Sequence, residues 1–232
     1  MINIPCNMVT AGLSRSGKSV NFKCLYLPIC HRFRYTLLIS TTNKLNCEYQ
    51  PLFNTLRQHN RHYSELSKYN EDVIKDIMDK QESVIMKLNN KYGSFDNIPK
   101  ETKEKLHVSI IMDDLLGQVD FHHSIMSELF AKSRHLYISI FILQQHINTL
   151  SVSMRINSHY LMITKLKDNN IDTVHDLIVT SEIGDGSKKD LRAFLSKYCV
   201  NYQCILFSEL PFEEDRNGVK KHYKVLKFQL PT

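Results

Sequence analysis

The 232 residues suffice for one α/β domain with a sizeable core and are short for two. With 42% hydrophobic and 23% charged residues the composition is that of an ordinary globular chain, and its apolar runs are strand-length, which excludes a bilayer-spanning helix. The net charge of +6 is unevenly placed: residues 1–62 carry eight Lys/Arg against one acid, Glu48, a balance that fits a polyanion such as nucleic acid and fits a solubilising surface equally well.

The opening Met1-Ile2-Asn3-Ile4-Pro5 lacks the basic-then-apolar pattern of a secretory signal, and six cysteines without a C-x-x-C pair fit the reduced thiols of a cytosolic protein. Short apolar runs alternate with helical stretches, the pattern of a parallel sheet flanked by helices. The first strand is expected over 7–11 (NMVTA). A helix comes next, starting at the loop that follows this strand and running to about residue 27, where Pro28 stops it. Between them lies Gly12-Leu13-Ser14-Arg15-Ser16-Gly17-Lys18-Ser19, which meets the G-x-x-x-x-G-K-S spacing of a phosphate-binding loop between a strand and a helix. The glycines let successive N–H groups curl toward a β-phosphate, and the helix dipole adds to the attraction. Lys18 is assigned to the β- and γ-phosphates and the Ser19 hydroxyl to Mg²⁺, with Val20 next to them; Arg15, unusual in such a loop, is read as pointing to solvent.

The second strand is expected over 35–41 (YTLLIST) and a long helix over about 64–90, with Leu66, Tyr69, Val73, Ile77, Val84 and Leu88 as its apolar stripe. Gly93 and Pro99 interrupt the chain beyond that helix. The strand 108–113 (VSIIMD) then runs straight into Asp113-Asp114. At the C-terminal end of a parallel strand such carboxylates face the ligand crevice: Asp113 would organise Mg²⁺ and Asp114 would orient or deprotonate water, whereas a plain helix N-cap is the bland alternative. A helix over about 121–134 leads to the strand 138–145, whose end, Gln144-Gln145, can hydrogen-bond a γ-phosphate and water. Arg134 before this strand and Arg155 after it are candidates for an arginine given to a neighbouring subunit, or for ordinary surface ion pairs. Strands over 159–165 and 201–208 and an edge strand over 222–230, ended by Pro231, complete the series. Lys188-Lys189 beside Gly184 and Gly186 read as an exposed basic loop, and neither His122-His123 nor Cys47 with His59 and His62 has structural zinc spacing.

On these residues the chain resembles the FtsK–HerA group of P-loop ATPases, and within it is most similar to the genome-packaging ATPases of large DNA viruses, virophages and polinton-like elements. The resemblance spans about 7–208. It rests on GLSRSGKS (12–19), YTLLISTTN (35–43), DKQESVIMKL (79–88), SIIMDDLL (109–116), SRHLYISIFILQQH (133–146) and MRINSHYLMITK (154–165). It implies an additional-strand P-loop core with a long helical insertion (about 60–104) and a C-terminal strand extension (about 209–232), all in one domain over 1–232. It further implies a ring homo-oligomer using ATP and Mg²⁺ to move double-stranded DNA, without sequence preference, through a capsid or portal vertex. Such a protein works in the cytoplasm or nucleus of the infected cell, or with the virion, and has no membrane partner. By the same resemblance Gln145 takes the sensor position, with Gln144 where the family often has Thr, and Arg155 is the better trans-acting arginine. The sequence departs from the wider family in Asp114, where Glu is common, and in Arg15. A P-loop nucleoside or nucleotide kinase is the alternative, though it has no water to position; a non-catalytic nucleotide-binding scaffold is a third.

Overall fold

A computed structural model describes residues 2–115, 117–178, 183–214 and 220–228. In chain order these residues form β1 (Asn7–Ala11), α1 (Lys18–Tyr26), a 3-10 turn (Leu27–Arg32), β2 (Tyr35–Ser40), α2 (Asn43–Asn46), α3 (Gln50–Gln58), β3 (His62–Leu66) and α4 (Glu71–Tyr92). Next come α5 (Lys100–Glu104), β4 (Val108–Asp113), α6 (Ser124–Lys132), β5 (Ile138–Gln144), α7 (Val152–Ile156), β6 (Tyr160–Ile163), α8 (Ile171–His175) and α9 (Lys188–Tyr198). The chain ends in β7 (Cys204–Ser208), the short β8 (Glu213–Glu214) and β9 (Lys220–Lys221), and β10 (Tyr223–Leu226). The expected α/β class with a mostly parallel sheet is what these elements build. Among the described residues no helix is long and apolar enough to cross a membrane.

The chain divides into two compact units. One unit, called acidic only for the Asp113-Asp114 pair it carries and not for its net charge, holds the segment up to Cys6 and Leu25–Phe141; a loop unit holds Asn7–Cys24 and the chain from Ile142 onward. In the acidic unit β2 is central, parallel to β4 from Tyr35↔Val108 to Ser40↔Asp113 and parallel to β3 from Tyr35↔His62 to Ile39↔Leu66. Residues of β4 are buried throughout, as expected for a strand covered on both faces. Tyr26 lies under this sheet, stacked on Phe33 at 5.5 Å and edge-on to Phe141 at 5.1 Å. Its hydroxyl bonds the Thr36 and Ser109 hydroxyls, so the one polar atom of the cluster is satisfied. In the loop unit β1 pairs parallel with β6, β6 antiparallel with β7, and β7 antiparallel with β10. The alternating tail thus forms the expected edge strand, shortened to Tyr223–Leu226; Pro231, like Leu116, lies outside the described residues.

Several elements differ from the sequence expectation. The long helix does not begin near residue 64: His62–Leu66 is strand β3, and α4 starts after Asn70, whose side chain accepts a hydrogen bond from the Asp72 N–H. Strand β3 is half-exposed at the edge of its sheet, so its HYSEL sequence carries no continuous apolar run to announce it. Gly93, left-handed at φ 78°, ends α4. The buried face of α4 is Ile74, Ile77, Met78 and Gln81, one i, i+3, i+4, i+7 row, while Val73, Val84 and Leu88 are only half-buried. Of this face the expected stripe holds only Ile77, and one further member is an amide that no apolar pattern counts: Gln81 Nε2 donates to both the Leu106 and Leu136 carbonyls at 2.8 Å, tying α4 to the segments that enter β4 and β5. Lys188 and Lys189 open helix α9 behind the Ser187 cap, and Lys188 pairs with Asp172 at 2.9 Å, so this is no basic loop. Strand β7 begins only at Cys204, because Asn201 and Tyr202 take left-handed conformations at φ 49° and 62°.

Gln81→Leu keeps the volume of that helix face but strands two buried carbonyls, so we expect a loss of about 1–3 kcal/mol in unfolding free energy. Urea denaturation checks this; an unchanged midpoint would show that the amide bridge contributes nothing.

Candidate functional site

The loop unit presents the phosphate-loop residues. Strand β1 is fully buried and delivers the chain to Gly12, whose N–H donates to the Gln144 carbonyl at the end of β5 (3.2 Å). The Leu13 N–H donates to the Lys165 carbonyl just beyond β6 (2.7 Å). Ser16 closes the curl: its hydroxyl meets the Leu13 carbonyl and the Thr164 hydroxyl, both at 2.6 Å. A Cβ on Gly12 would collide with Thr164, and one on Gly17 would lie 2.8 Å from the Tyr202 ring at a left-handed φ of 87°. These two positions therefore tolerate only glycine. Arg15 is exposed and also left-handed, at φ 58°.

Lys18, 9% exposed, folds back over the loop and donates to the Gly12 and Leu13 carbonyls, each at 2.9 Å. Its charge is held at the mouth of the curl by backbone dipoles, where anionic oxygens are stronger acceptors. Ser19 and Val20 lie in the first turn of α1, half-buried. A cavity of about 560 Å³ beside the loop is lined by Arg15, Ser16, Lys165, Arg192 and Tyr202, among others.

Three further members belong to the same unit. Gln144 is the last residue of β5 and wholly buried; its amide atoms find no partner among the described residues, while its carbonyl holds Gly12. Gln145 is the first residue past the strand and is partly exposed. The expected strand 138–145 thus ends one residue early, which puts the two glutamines in different environments. Arg155 sits in the last turn of α7 with its Nε buried and unpartnered among the described residues; Val152 and Ile156 on the same short helix are 58% and 69% exposed. Arg134 belongs to the acidic unit, exposed in the turn that enters β5.

In the acidic unit β4 ends in Asp113, 4% exposed, whose Oδ2 accepts a hydrogen bond from the Tyr49 hydroxyl at 2.8 Å. Tyr49 is itself fully buried and is held in turn: its N–H donates to Asn43 Oδ1 (2.7 Å), and Asn43 Nδ2 donates to Glu65 (2.9 Å). A bond from a neutral hydroxyl orients the carboxyl group, which is what a group that binds a hydrated cation needs. Asp114 is half-buried and left-handed at φ 51°. Aspartate tolerates that region far better than longer or branched acids, because its short side chain can bond the local backbone. The turn geometry thus gives a physical reason for Asp at this position.

Sequence reading missed Thr164, Tyr202 and Tyr49. Thr164 had a weak signal, a hydroxyl closing the apolar run of β6. Tyr202 and Tyr49 had none, since each acts through a contact distant along the chain.

The sequence profile of the poxvirus A32 protein family matches residues 1–204. No curated protein matches the sequence. Among solved structures, the genome packaging NTPase B204 of Sulfolobus turreted icosahedral virus 2 in complex with ATP-gammaS is 13% identical, covers 97% of this chain and 98% of its own, and superimposes with a TM-score of 0.60. B204 of Sulfolobus turreted icosahedral virus, described as a DNA-packaging ATPase, is 15% identical over 97% and 98% with a TM-score of 0.59. The pCW3 conjugation coupling protein TcpA, with ATPgS, is 14% identical over 88% of this chain and 57% of its own, with a TM-score of 0.62. At these identities the likeness establishes the fold alone, the α/β arrangement with a mostly parallel sheet that these structures share.

Gly17→Ala should weaken triphosphate binding at least about tenfold, because both the left-handed φ and the Tyr202 ring oppose a methyl group. Adding Tyr202→Ala should restore only part of it, since the backbone strain of ~1–3 kcal/mol persists. Calorimetric titration with a non-hydrolysable ATP analogue decides; full restoration would make the steric contact the whole cause.

Proposed function

The chain belongs to the poxvirus A32 protein family, and from that premise we propose that it is the ATP-hydrolysing motor that moves double-stranded viral DNA into a preformed capsid. It is a viral DNA-packaging ATPase by family. The observation that carries the mechanistic reading is the lysine clip. Lys18 is buried against two loop carbonyls at the mouth of a curl whose glycines cannot be replaced.

On this reading each residue has a definite task. Lys18 leaves the Gly12 and Leu13 carbonyls for the β- and γ-phosphate oxygens of ATP, exchanging dipoles for full charges. The backbone N–H groups of Ser14, Arg15 and Gly17, which anchor nothing in the loop among the described residues, and the start of α1 surround the remaining phosphate oxygens. Ser19 and Asp113 are each assigned to Mg²⁺ by the chemistry of their own groups, a hydroxyl and a buried carboxylate, hard oxygen ligands of the kind that ion prefers. Bound there, the ion would neutralise phosphate charge. Asp114 orients the attacking water or accepts its proton, and Gln145 reports whether a γ-phosphate is present. The cavity beside the loop, with the Tyr202 ring at its edge, has the size to take the nucleoside.

Arg155 is assigned to the nucleotide of a neighbouring subunit. Supporting this are its unpartnered Nε and the exposed Val152 and Ile156 beside it, apolar side chains that a subunit contact would cover. Protomers joined head to tail in this way close into a ring around the duplex. Basic side chains grip phosphates without reading sequence, and a capsid or portal vertex receives the DNA. The protein acts where virions assemble, in the cytoplasm or nucleus of the infected cell. ATP turnover measured with and without duplex DNA, against phosphoryl transfer to nucleosides, tests the reading: DNA stimulation supports the motor, and transfer to a nucleoside overturns it.

The residue roles can be separated by substitution. Asp114→Asn keeps the shape and the left-handed turn, so stability should change by less than about 0.5 kcal/mol and ATP should still bind, while turnover falls by about 10²–10⁴. Lys18→Ala should instead weaken ATP binding itself; normal hydrolysis by Asp114→Asn would remove that residue from the chemistry. Arg155→Ala and Asp114→Asn should each be inactive alone but recover activity when mixed. In a randomly mixed ring about a quarter of the interfaces then join an intact Asp114 to an intact Arg155. Absence of any recovery would sink the trans assignment.

A further inference from the structure

At the N-terminal ends of β2, β3 and β4 the acidic unit carries a second polar concavity, about 680 Å³ in volume, that nothing in the nucleotide chemistry uses. Each strand brings a cation to it at its entrance: Arg34 before β2, Arg61 before β3 and Lys105 before β4, with Arg32 at the end of the 3-10 turn. Backbone bonds lock these entrances in register, since the Arg34 N–H donates to the His107 carbonyl (2.8 Å) and the His62 N–H to the Arg34 carbonyl (3.3 Å). The cations are therefore mounted on rigid strand ends spaced by about 4.8 Å, not on a loose loop.

Their charges are not used internally. Among the described residues, none of Arg32, Arg34, Arg61 and Lys105 makes an ion pair or a side-chain hydrogen bond. Two carboxylates, Glu101 and Glu104, also line the cavity, and Glu104 lies 4.0 Å from Lys100, so cations outnumber acids. Two nitrogens at the site are buried and find no partner among the described residues: Arg61 Nε, and Nδ1 of His107, a residue only 6% exposed. Burial, and then the Arg32 charge, push the His107 pKa down to about 4, so its ring is neutral at pH 7. Buried polar atoms without partners are rare and call for a ligand or a bound water. Three guanidiniums, which match the two oxygens of a phosphate with paired donors, dominate a cluster in which only one lysine appears.

We propose that this cavity is a binding site for the phosphodiester backbone of duplex DNA, held by Arg32, Arg34, Arg61 and Lys105. The proposal rests on the motor reading and adds to it the place where the acidic unit grips its track. The site lies at the opposite end of β4 from Asp113, about 17 Å away by strand rise, so DNA contact there does not cover the carboxylates. With side chains meeting phosphates and none built to read base edges, the grip is independent of sequence.

The test uses the full-length protein and compares Arg32→Gln/Arg34→Gln, Lys105→Gln and a control, Lys87→Gln/Lys91→Gln, on the exposed side of α4. Fluorescence anisotropy with a labelled duplex gives affinity across a salt series. Two lost phosphate contacts should weaken binding at least about tenfold at low salt and flatten the slope of log K against log salt by about 2 in the double variant, and by about 1 in Lys105→Gln. DNA-free ATP turnover and melting temperature should match the parent, and the control should change nothing beyond a small uniform loss. Duplex affinity and salt slope equal to the parent's would overturn the site while leaving the motor reading intact. The site is likewise overturned if only inorganic phosphate or a polyglutamate peptide loses binding, which would make it a free-anion or acidic-protein pocket. A parent protein that binds no duplex DNA would remove the motor reading and the proposal together.

Discussion

Between β1 and α1 the chain must turn sharply while leaving a row of backbone N–H groups unspent, and everything assigned to nucleotide binding depends on how it does so. The loop is held from outside. Gly12 and Leu13 give their N–H groups to carbonyls at the ends of two other strands, Gln144 on β5 and Lys165 beyond β6, and Ser16 locks onto Thr164. These anchors shape the curl without filling it. Left-handed backbone at Arg15 and Gly17 then completes the turn, at a conformational penalty that neighbouring contacts must offset. With the curl formed, Lys18 rests on two loop carbonyls, ready to exchange them for stronger acceptors. Such preorganisation means little rearrangement is needed when phosphate arrives, which is how fixed dipoles become effective in binding and catalysis.

The acidic unit obeys a comparable logic with charge distributed along one strand. Strand β4 is buried throughout, so its charged groups appear only at its ends. At the C-terminal end stands Asp113, one member of a chain running from half-buried Glu65 to buried Asn43, Tyr49 and Asp113. Burying a carboxylate is unfavourable unless it is hydrogen-bonded, and the tyrosine supplies that bond without adding a positive charge of its own. The carboxylate is thereby oriented for a cation. At the N-terminal end are Lys105 and His107, next to the arginines that enter β2 and β3. A single strand thus separates a carboxylate end from a cation-bearing end, the polarity on which the proposed metal–nucleotide and nucleic-acid roles rest.

Substituting Asp for the more common Glu after this strand has a local explanation. The residue occupies the left-handed region, where a short acid can bond its own backbone and a longer one gains nothing from doing so. The cost is reach: a shorter side chain must bring its carboxylate close to the water by the placement of the turn.

Local chemistry was legible in the sequence because it is completed within a few residues. The phosphate loop needs two glycines, a lysine and a hydroxyl at fixed spacing between a strand and a helix, and all of that information lies in residues 12–19. The carboxylate pair was equally plain, since an apolar run that stops at two acids can be read without knowing its neighbours. What only the tertiary structure decided depends on contacts far apart along the chain. Tyr49 reaches Asp113 across 64 positions and Ser16 reaches Thr164 across 148, distances over which hydrophobic periodicity carries no information. Strand β3 is an exposed edge without an apolar signature, and the inner face of α4 includes a glutamine that no apolar pattern counts. The convergence of Arg32, Arg34, Arg61 and Lys105 exists only because three parallel strands start side by side; along the sequence they are scattered cations, indistinguishable from a solvated surface.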